Sequence, residues 1–182
     1  MNKEKGAWKA RWTLERWSSE ADRKKKRVYT NEECKKLFGI DEQISVVNQT
    51  FSPHAGNMLV NSGINELFTI LCSSASGTKF DNTNAYIGVG DSSTAEAATQ
   101  TDLQAATNKV RVAMNASYPT YGTSQKATFQ SDFGSSDANF DWNEFGVFNA
   151  SSAGTMLNRK VSAQGTKVSG QTWRFTVEIS LS

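Results

Sequence analysis

The single histidine limits the acid–base chemistry that this sequence can support. His54 is the only residue of its type in 182 positions, and its neighbours Ser52, Pro53 and Gly56 are typical of a turn. A histidine that acts as a general base needs an orienting partner, and the sequence offers none at a recognisable spacing. We therefore predict a structural or surface position for His54 rather than a catalytic one.

Asp141 and Glu144 form the best pair of carboxylates for general acid–base work, because they flank Trp142 and paired acids hydrolyse glycosidic bonds. Two acids beside a tryptophan are also common on β-sheet proteins, which favours a structural interpretation. Tyr118 and Tyr121, together with Trp142, could instead form an aromatic surface for sugars. A carbohydrate-binding or carbohydrate-cleaving module is therefore our second hypothesis.

Metal and phosphate chemistry have weak support. Cys34 and Cys72 are the only cysteines and lie 38 positions apart, whereas zinc sites use paired ligands at short spacing. The segment Gly88-Val89-Gly90 lacks the Gly-Lys-Ser/Thr of a phosphate-binding loop, and no helical pattern follows it. We predict no metal, no cofactor, no catalytic residue, and two unpaired thiols in a reducing compartment.

A basic, tryptophan-rich segment opens the chain. Residues 1–43 hold 12 Lys+Arg and 8 Asp+Glu, whereas residues 44–182 hold 8 and 10. Cations beside aromatic rings are typical of nucleic-acid binding, but Glu15, Glu20 and Asp22 interrupt the cations here, so nucleic-acid contact is only a third hypothesis. Because tryptophan is enriched at interfaces, we predict that this segment binds a neighbouring subunit through Trp8, Trp12, Trp17, Arg23, Lys24, Lys25, Lys26 and Arg27.

The elements that must position these residues begin with an extended arm over residues 1–56. Residues 8–14 alternate apolar and polar side chains, which is the period of a β-strand. Thr30 and Glu33 match a capping box, so we predict a short helix after Thr30 that ends at Gly39. Residues 44–51 are predicted to form a further strand.

Residues 57–182 are predicted to form an antiparallel β-sandwich that opens with one helix. Apolar residues between 57 and 71 recur at offsets of three and four, as an amphipathic helix requires, and Gly63 within it favours a close backbone contact. Short apolar segments between polar turns predict strands over 85–90, 109–114, 126–133, 139–149, 156–163 and 171–181. The predicted core consists of the large apolar residues Trp142, Phe145, Phe148, Trp173, Phe175, Val177 and Ile179.

The sequence contains no run of about 18 apolar residues, and no apolar segment follows its charged start. We therefore predict neither a membrane-spanning helix nor a secretory signal, and we expect the protein to fold in a cytoplasm.

Four segments, taken in order, resemble a family of tailed-bacteriophage virion proteins that occur in tail-fibre, baseplate and head-associated genes. They are Asn57–Leu67, Tyr86–Thr94 with the following Thr101–Leu103, Asp141–Ala150, and Thr155–Arg159. The resemblance implies a non-enzymatic structural subunit of the virion, either a tail, fibre or baseplate adaptor or a capsid decoration protein. It implies partners among other virion proteins and copies of itself. A host surface glycan is a further partner under the carbohydrate hypothesis. We expect the N-terminal arm to make the attachment.

Overall fold

The computed structural model describes residues 8–39, 58–73 and 76–181, which form two antiparallel β-sheets and three helices. The strands are β1 Trp8–Trp17, β2 Met58–Leu59, β3 Tyr86–Gly90, β4 Lys109–Ala113, β5 Thr120–Thr123, β6 Lys126–Phe133, β7 Glu144–Phe148, β8 Met156–Val161 and β9 Thr172–Leu181. The first sheet has the strand order β1-β9-β6-β5, and the second has the order β2-β8-β7-β3-β4. The predicted mainly-β fold is confirmed.

The three helices are α1 Glu20–Lys24, α2 Asn31–Phe38 and α3 Asn61–Cys72. The capping box predicted before α2 is present, because Thr30 accepts from the backbone N–H of Glu33 while the Glu33 carboxylate accepts from that of Thr30. Gly39 ends α2 with a φ of 68°, the left-handed conformation that glycine adopts most readily. Helix α1 was not predicted; it begins after Ser19, whose hydroxyl accepts from the backbone N–H of Asp22.

The main core lies between the two sheets and is built around aromatic side chains. The ring centroids of Trp142 and Trp173 lie 4.8 Å apart, and those of Phe145 and Phe175 lie 4.7 Å apart, both in edge-to-face contacts. Phe148 belongs to a smaller cluster on the other side of the second sheet. The seven predicted core residues are all buried, so this prediction is confirmed.

The predicted N-terminal arm is wrong as a separate element, because β1 belongs to the sandwich. It pairs with β9 over its whole length, from Trp8 opposite Leu181 to Trp17 opposite Thr172. The predicted boundary at residue 56 therefore divides a continuous sheet. The alternation that predicts a strand also gives that strand an apolar face. Trp12 and Leu14 on this face are buried within the same chain, where they stabilise the fold.

Three smaller differences concern the edges of the sheets. Strand β5 was not predicted, because its residues are exposed and carry no alternation. The helix predicted to open the sandwich domain at residue 57 begins at Asn61 instead, and β2 occupies Met58–Leu59 before it. The strand predicted over residues 44–51 lies outside the described residues.

Gly63 allows α3 to lie directly on β8, as predicted. A Cβ atom at this position would lie 2.5 Å from the carbonyl oxygen of Leu157 and 2.6 Å from its Cα. The same reasoning holds for Gly88, where a Cβ would lie 2.6 Å from the ring of Phe148. Both glycines are therefore required by close packing.

Candidate binding groove

A groove of about 860 Å³ lies between α3 and the β5–β6 hairpin. Leu67 and Ile70 of α3 form one wall. The remaining apolar lining comes from both sheets and from the loops beside them, namely Phe80, Pro119, Ala127, Phe129, Leu157 and Ile179. The apolar lining is thus built from residues that are far apart in the sequence, and polar side chains line the rest of the groove, namely Lys79, Thr123, Ser124, Gln125 and Lys126.

Large apolar side chains are exposed on the elements that form the groove. Phe68 and Leu71 on α3 are 60% and 77% exposed, and Tyr121 on β5 is 77% exposed. Single exposed apolar residues are ordinary, but a group of them on the elements that form an apolar groove is typical of an interaction surface.

The two ends of α3 pack against the rest of the chain to different extents. Near its start, Gly63 brings the helix into backbone contact with β8. Near its end, Leu67 and Ile70 are only half-buried. Glu66 fixes the chain after the helix, because its carboxylate accepts from the backbone N–H of Thr78 at 2.5 Å and from the Asn149 amide at 3.3 Å.

The structure does not support the predicted subunit surface at the tryptophans. Trp12 is 4% exposed and packs edge-to-face on Phe145 at 4.6 Å, and Trp17 is 2% exposed. Trp17 lies in a small cluster with Tyr29 and Cys34 of the same chain. Trp12 and Trp17 are therefore not free to anchor a neighbour, and the side chain of Trp8 lies outside the described part of the structure.

The two arginines of the basic run bind carboxylates of their own chain. Arg23 contacts Glu20 at 2.6 Å and Asp132 at 2.8 Å, and Arg27 contacts Glu33 at 2.6 Å. The Lys24, Lys25 and Lys26 side chains between them are exposed. The run therefore presents a short lysine surface rather than five uncompensated cations.

Asp132 is the centre of a charged network on the outer face of the first sheet. Arg174 binds it through two nitrogens, at 2.6 and 2.9 Å, and Arg23 and Asn115 add further contacts. Burial alone would raise the pKa of Asp132, but the hydrogen bonds from Arg174 and Asn115 bring it below its ordinary value. This carboxylate is therefore a structural anion.

The candidate carboxylate pair does not come together as a catalytic site. Glu144 is fully buried, and its carboxylate lies 2.6 Å from Arg159, which is fully buried as well. The same carboxylate accepts from the backbone N–H groups of Gln104 and Ala105, at 2.9 and 2.7 Å. Asp141 is exposed and accepts from the hydroxyl of Thr166. The carbohydrate-cleaving hypothesis thus loses Glu144, which is occupied and inaccessible.

The three aromatic residues proposed for sugar binding do not share a surface. Trp142 is fully buried, and its indole N–H donates to the carbonyl of Ala138 at 2.9 Å. Tyr118 is half-buried against the core, whereas Tyr121 is 77% exposed. The prediction for Trp142 as a sugar platform is therefore wrong, because its side chain fills the core.

Besides Arg159, two more buried cations were missed by sequence reasoning, Lys167 and Arg16. The Lys167 ammonium donates to the carbonyl of Gly134 at 2.7 Å and to the Asn139 side chain at 2.9 Å, and burial lowers its pKa to about 8. Arg16 lies over the Trp173 ring at 4.6 Å, and burial lowers its pKa to about 10. Arg16 continues the alternate positions of β1 that Trp12 and Leu14 occupy. This spacing was the sequence signal that could have indicated its burial.

The thiols and the histidine do not form a site in the described part of the chain. Residues 8–39, 58–73 and 76–181 contain no group of three or more His, Cys, Asp or Glu side chains arranged to hold a metal ion. Cys34 is buried beside Trp17, and Cys72 is exposed on α3; both are free thiols. His54 lies outside the described residues.

No family model, curated protein or solved structure matches this chain. Among the described helices, none has the length and apolar character that crossing a membrane would require.

Proposed function

We propose that this chain is a non-enzymatic structural subunit of a tailed-phage virion, serving as a tail, fibre or baseplate adaptor or as a capsid decoration protein. The observation that carries the proposal is a set of large apolar side chains that are exposed on the elements bordering the groove, namely Phe68 and Leu71 on α3 and Tyr121 on β5. The resemblance of four sequence segments to virion proteins supports the kind of particle. Under this proposal the protein folds in the host cytoplasm and resides in the virion.

The roles of the charged residues support a structural function. Glu144 and Asp132, which carry the best-placed carboxylates, are each bound by an arginine and by further donors. A general acid or base must instead be able to reach a substrate proton. These side chains hold loops and strands in place.

Under this proposal the attachment uses the groove rather than an N-terminal arm. The occupant is a set of apolar side chains of a neighbouring virion protein, because the groove has an extended apolar lining and the large exposed side chains on its bordering elements are Phe68, Leu71 and Tyr121. Burying a Leu or Phe side chain is worth roughly 1.5–3 kcal/mol, so a few such contacts offset the cost of ordering an interface.

The double variant Phe68→Ser, Leu71→Ser tests the proposal in the host that carries the gene. We expect purified particles to lose the subunit, while the free energy of unfolding of the isolated protein stays within about 1 kcal/mol of wild type, since both side chains are exposed. Immunoblotting of gradient-purified particles measures incorporation.

Val28→Ser provides the matched control, because Val28 is 71% exposed and lies on neither α3 nor the β5–β6 hairpin. It should enter particles as wild type does. Normal incorporation of the double variant would contradict attachment through α3 and the groove that it borders, and absence of the wild-type protein from every particle fraction would contradict the virion role.

A further inference from the structure

Strand β1 is the outermost strand of the first sheet in the part of the chain that the structure describes. It pairs with β9 on one side through ten residue pairs, and no other strand within the described residues pairs with it. An edge of this length presents several backbone N–H and C=O groups without partners, which makes it a template for another strand. Natural proteins usually shorten or bulge such edges, and β1 has neither feature.

The charges of β1 match a second copy of the same strand only when the two strands are antiparallel. Arg11, Thr13 and Glu15 occupy alternate positions, on the face opposite to buried Trp12 and Leu14. Antiparallel pairing about Thr13 places Arg11 of each copy opposite Glu15 of the other, which gives two opposite-charge pairs. Parallel pairing in register would instead place like charges opposite each other, which is destabilising.

Arg11 and Glu15 each lack a good partner within their own chain. Arg11 is exposed and makes no hydrogen bond or ion pair with the described residues. Glu15 lies 3.9 Å from Arg174, which is already bound to both oxygens of Asp132. Burial raises the pKa of Glu15, as expected for a carboxylate with weak compensation. Four positions along a strand span about 14 Å, so Arg11 and Glu15 of one chain cannot meet.

We propose that two copies of this chain associate through β1, antiparallel about Thr13, so that two four-stranded sheets become one continuous sheet. This self-association goes beyond the proposed virion role and uses none of the groove-lining residues, so either proposal can fail without the other. It also gives the first sheet a partner for its open edge.

The other edges are less suited to self-association. Strand β5 has four residues with an irregular register, and β2 has two. Strand β4 carries Lys109 and Arg111, so an antiparallel copy would bring cations together, and both are already bound to Asp102. Length and register thus disfavour β5 and β2, and charge disfavours β4, so β1 is the best suited of the four edge strands among the described residues.

Charge reversal tests the pairing in the full chain. Arg11→Glu places two glutamates opposite each other, and Glu15→Arg places two arginines opposite each other. We expect each variant to raise the dimer dissociation constant at least about tenfold, measured by sedimentation equilibrium. Mixing the two variants should restore association, because the glutamates of one variant then face the arginines of the other. Unchanged circular dichroism for Arg11→Glu is the control for folding.

Cysteine cross-linking tests the register. Residues directly opposite in an antiparallel pair have Cα atoms about 4.5–5.5 Å apart, within reach of a disulfide. Thr13→Cys in a Cys72→Ser background should therefore form a covalent dimer under mild oxidation. Thr120→Cys in the same background is the matched control on the β5 edge and should remain monomeric on a non-reducing gel.

The outcomes decide the proposal. Concentration-dependent dimers that Arg11→Glu weakens, that mixing restores and that Thr13→Cys traps would support it. A wild-type chain that is monomeric up to its solubility limit would overturn it. Dimers that are insensitive to Arg11→Glu, or that are cross-linked through Thr120→Cys alone, would also overturn it.

Discussion

At the scale of single residues, the buried pair Glu144–Arg159 connects a long loop to the second sheet. Arg159 donates to the carbonyl of Thr94 and to the Gln100 side chain, both at 2.9 Å, besides binding Glu144. Glu144 in turn accepts from the backbone of Ala105. Both charges are removed from water, so each depends on the other for compensation.

Replacing one member of this pair should be strongly destabilising. Arg159→Met leaves the Glu144 carboxylate buried without its cation, and we expect the free energy of unfolding to fall by about 3–5 kcal/mol in urea titrations. Adding Glu144→Gln to this variant should recover part of the loss, because it removes the uncompensated charge.

An exposed ion pair on the first sheet provides the comparison. Lys126 lies 2.6 Å from Glu178, with side chains that are 39% and 28% exposed. Lys126→Met should cost at most about 1 kcal/mol. An equal cost for Arg159→Met and Lys126→Met would mean that burial adds nothing to the first pair.

At the scale of elements, the contact of α3 with β8 depends on a position without a side chain. Gly63 meets the backbone of Leu157, and backbone atoms cannot move aside as a flexible side chain can. The wall of the groove therefore depends on this contact, since Leu67 and Ile70 follow on the same helix.

Gly63→Ala should destabilise the protein by roughly 1–3 kcal/mol in thermal or urea unfolding, because the added methyl group would overlap Leu157. This direction is opposite to helix propensity, which favours alanine over glycine by about 1 kcal/mol. A stabilised Gly63→Ala variant would show that α3 moves freely on β8.

Ser62→Ala is the control at the neighbouring position. The Ser62 hydroxyl is buried without a hydrogen-bond partner among the described residues. Removing it should leave stability unchanged or raise it slightly, because an unpaired polar group is removed and alanine is the better helix former.

In the molecule as a whole, the first and last described strands pair with each other in the first sheet. Trp12 and Leu14 of β1 contribute to the core shared by the two sheets. Losing a large buried side chain typically costs about 2–5 kcal/mol, whereas the total stability of a domain is about 5–15 kcal/mol. The N-terminal segment is thus essential to the fold.

Deleting residues 1–17 should therefore leave a chain that does not fold, seen as loss of near-ultraviolet circular dichroism and of a cooperative unfolding transition. Deleting residues 1–7 is the matched control, because it keeps β1 complete, and this variant should unfold cooperatively. A cooperatively folded product of the longer deletion would restore the interpretation of the segment as a detached arm.

Local sequence patterns predict most of the strands, two of the three helices and the core side chains. The alternation over 171–181 predicted β9 and four of its buried residues, and Thr30, Glu33 and Gly39 predicted both ends of α2. These signals are local, because they depend on the period of a strand or on hydrogen bonds within one turn. Gly63 belongs to the same class, since a glycine inside a helix indicates a close neighbour.

Which surfaces meet became clear from the folded chain alone. An apolar strand face indicates that its side chains are buried, but not whether the same chain or a neighbouring one covers them. Trp12 and Trp17 were therefore as consistent with an interface as with a core. Glu144 and Arg159 lie on different strands, and no local pattern joins them. The groove likewise combines α3 with β6 and β9. Pairing between distant segments depends on the sum of many contacts, which a local sequence pattern does not contain.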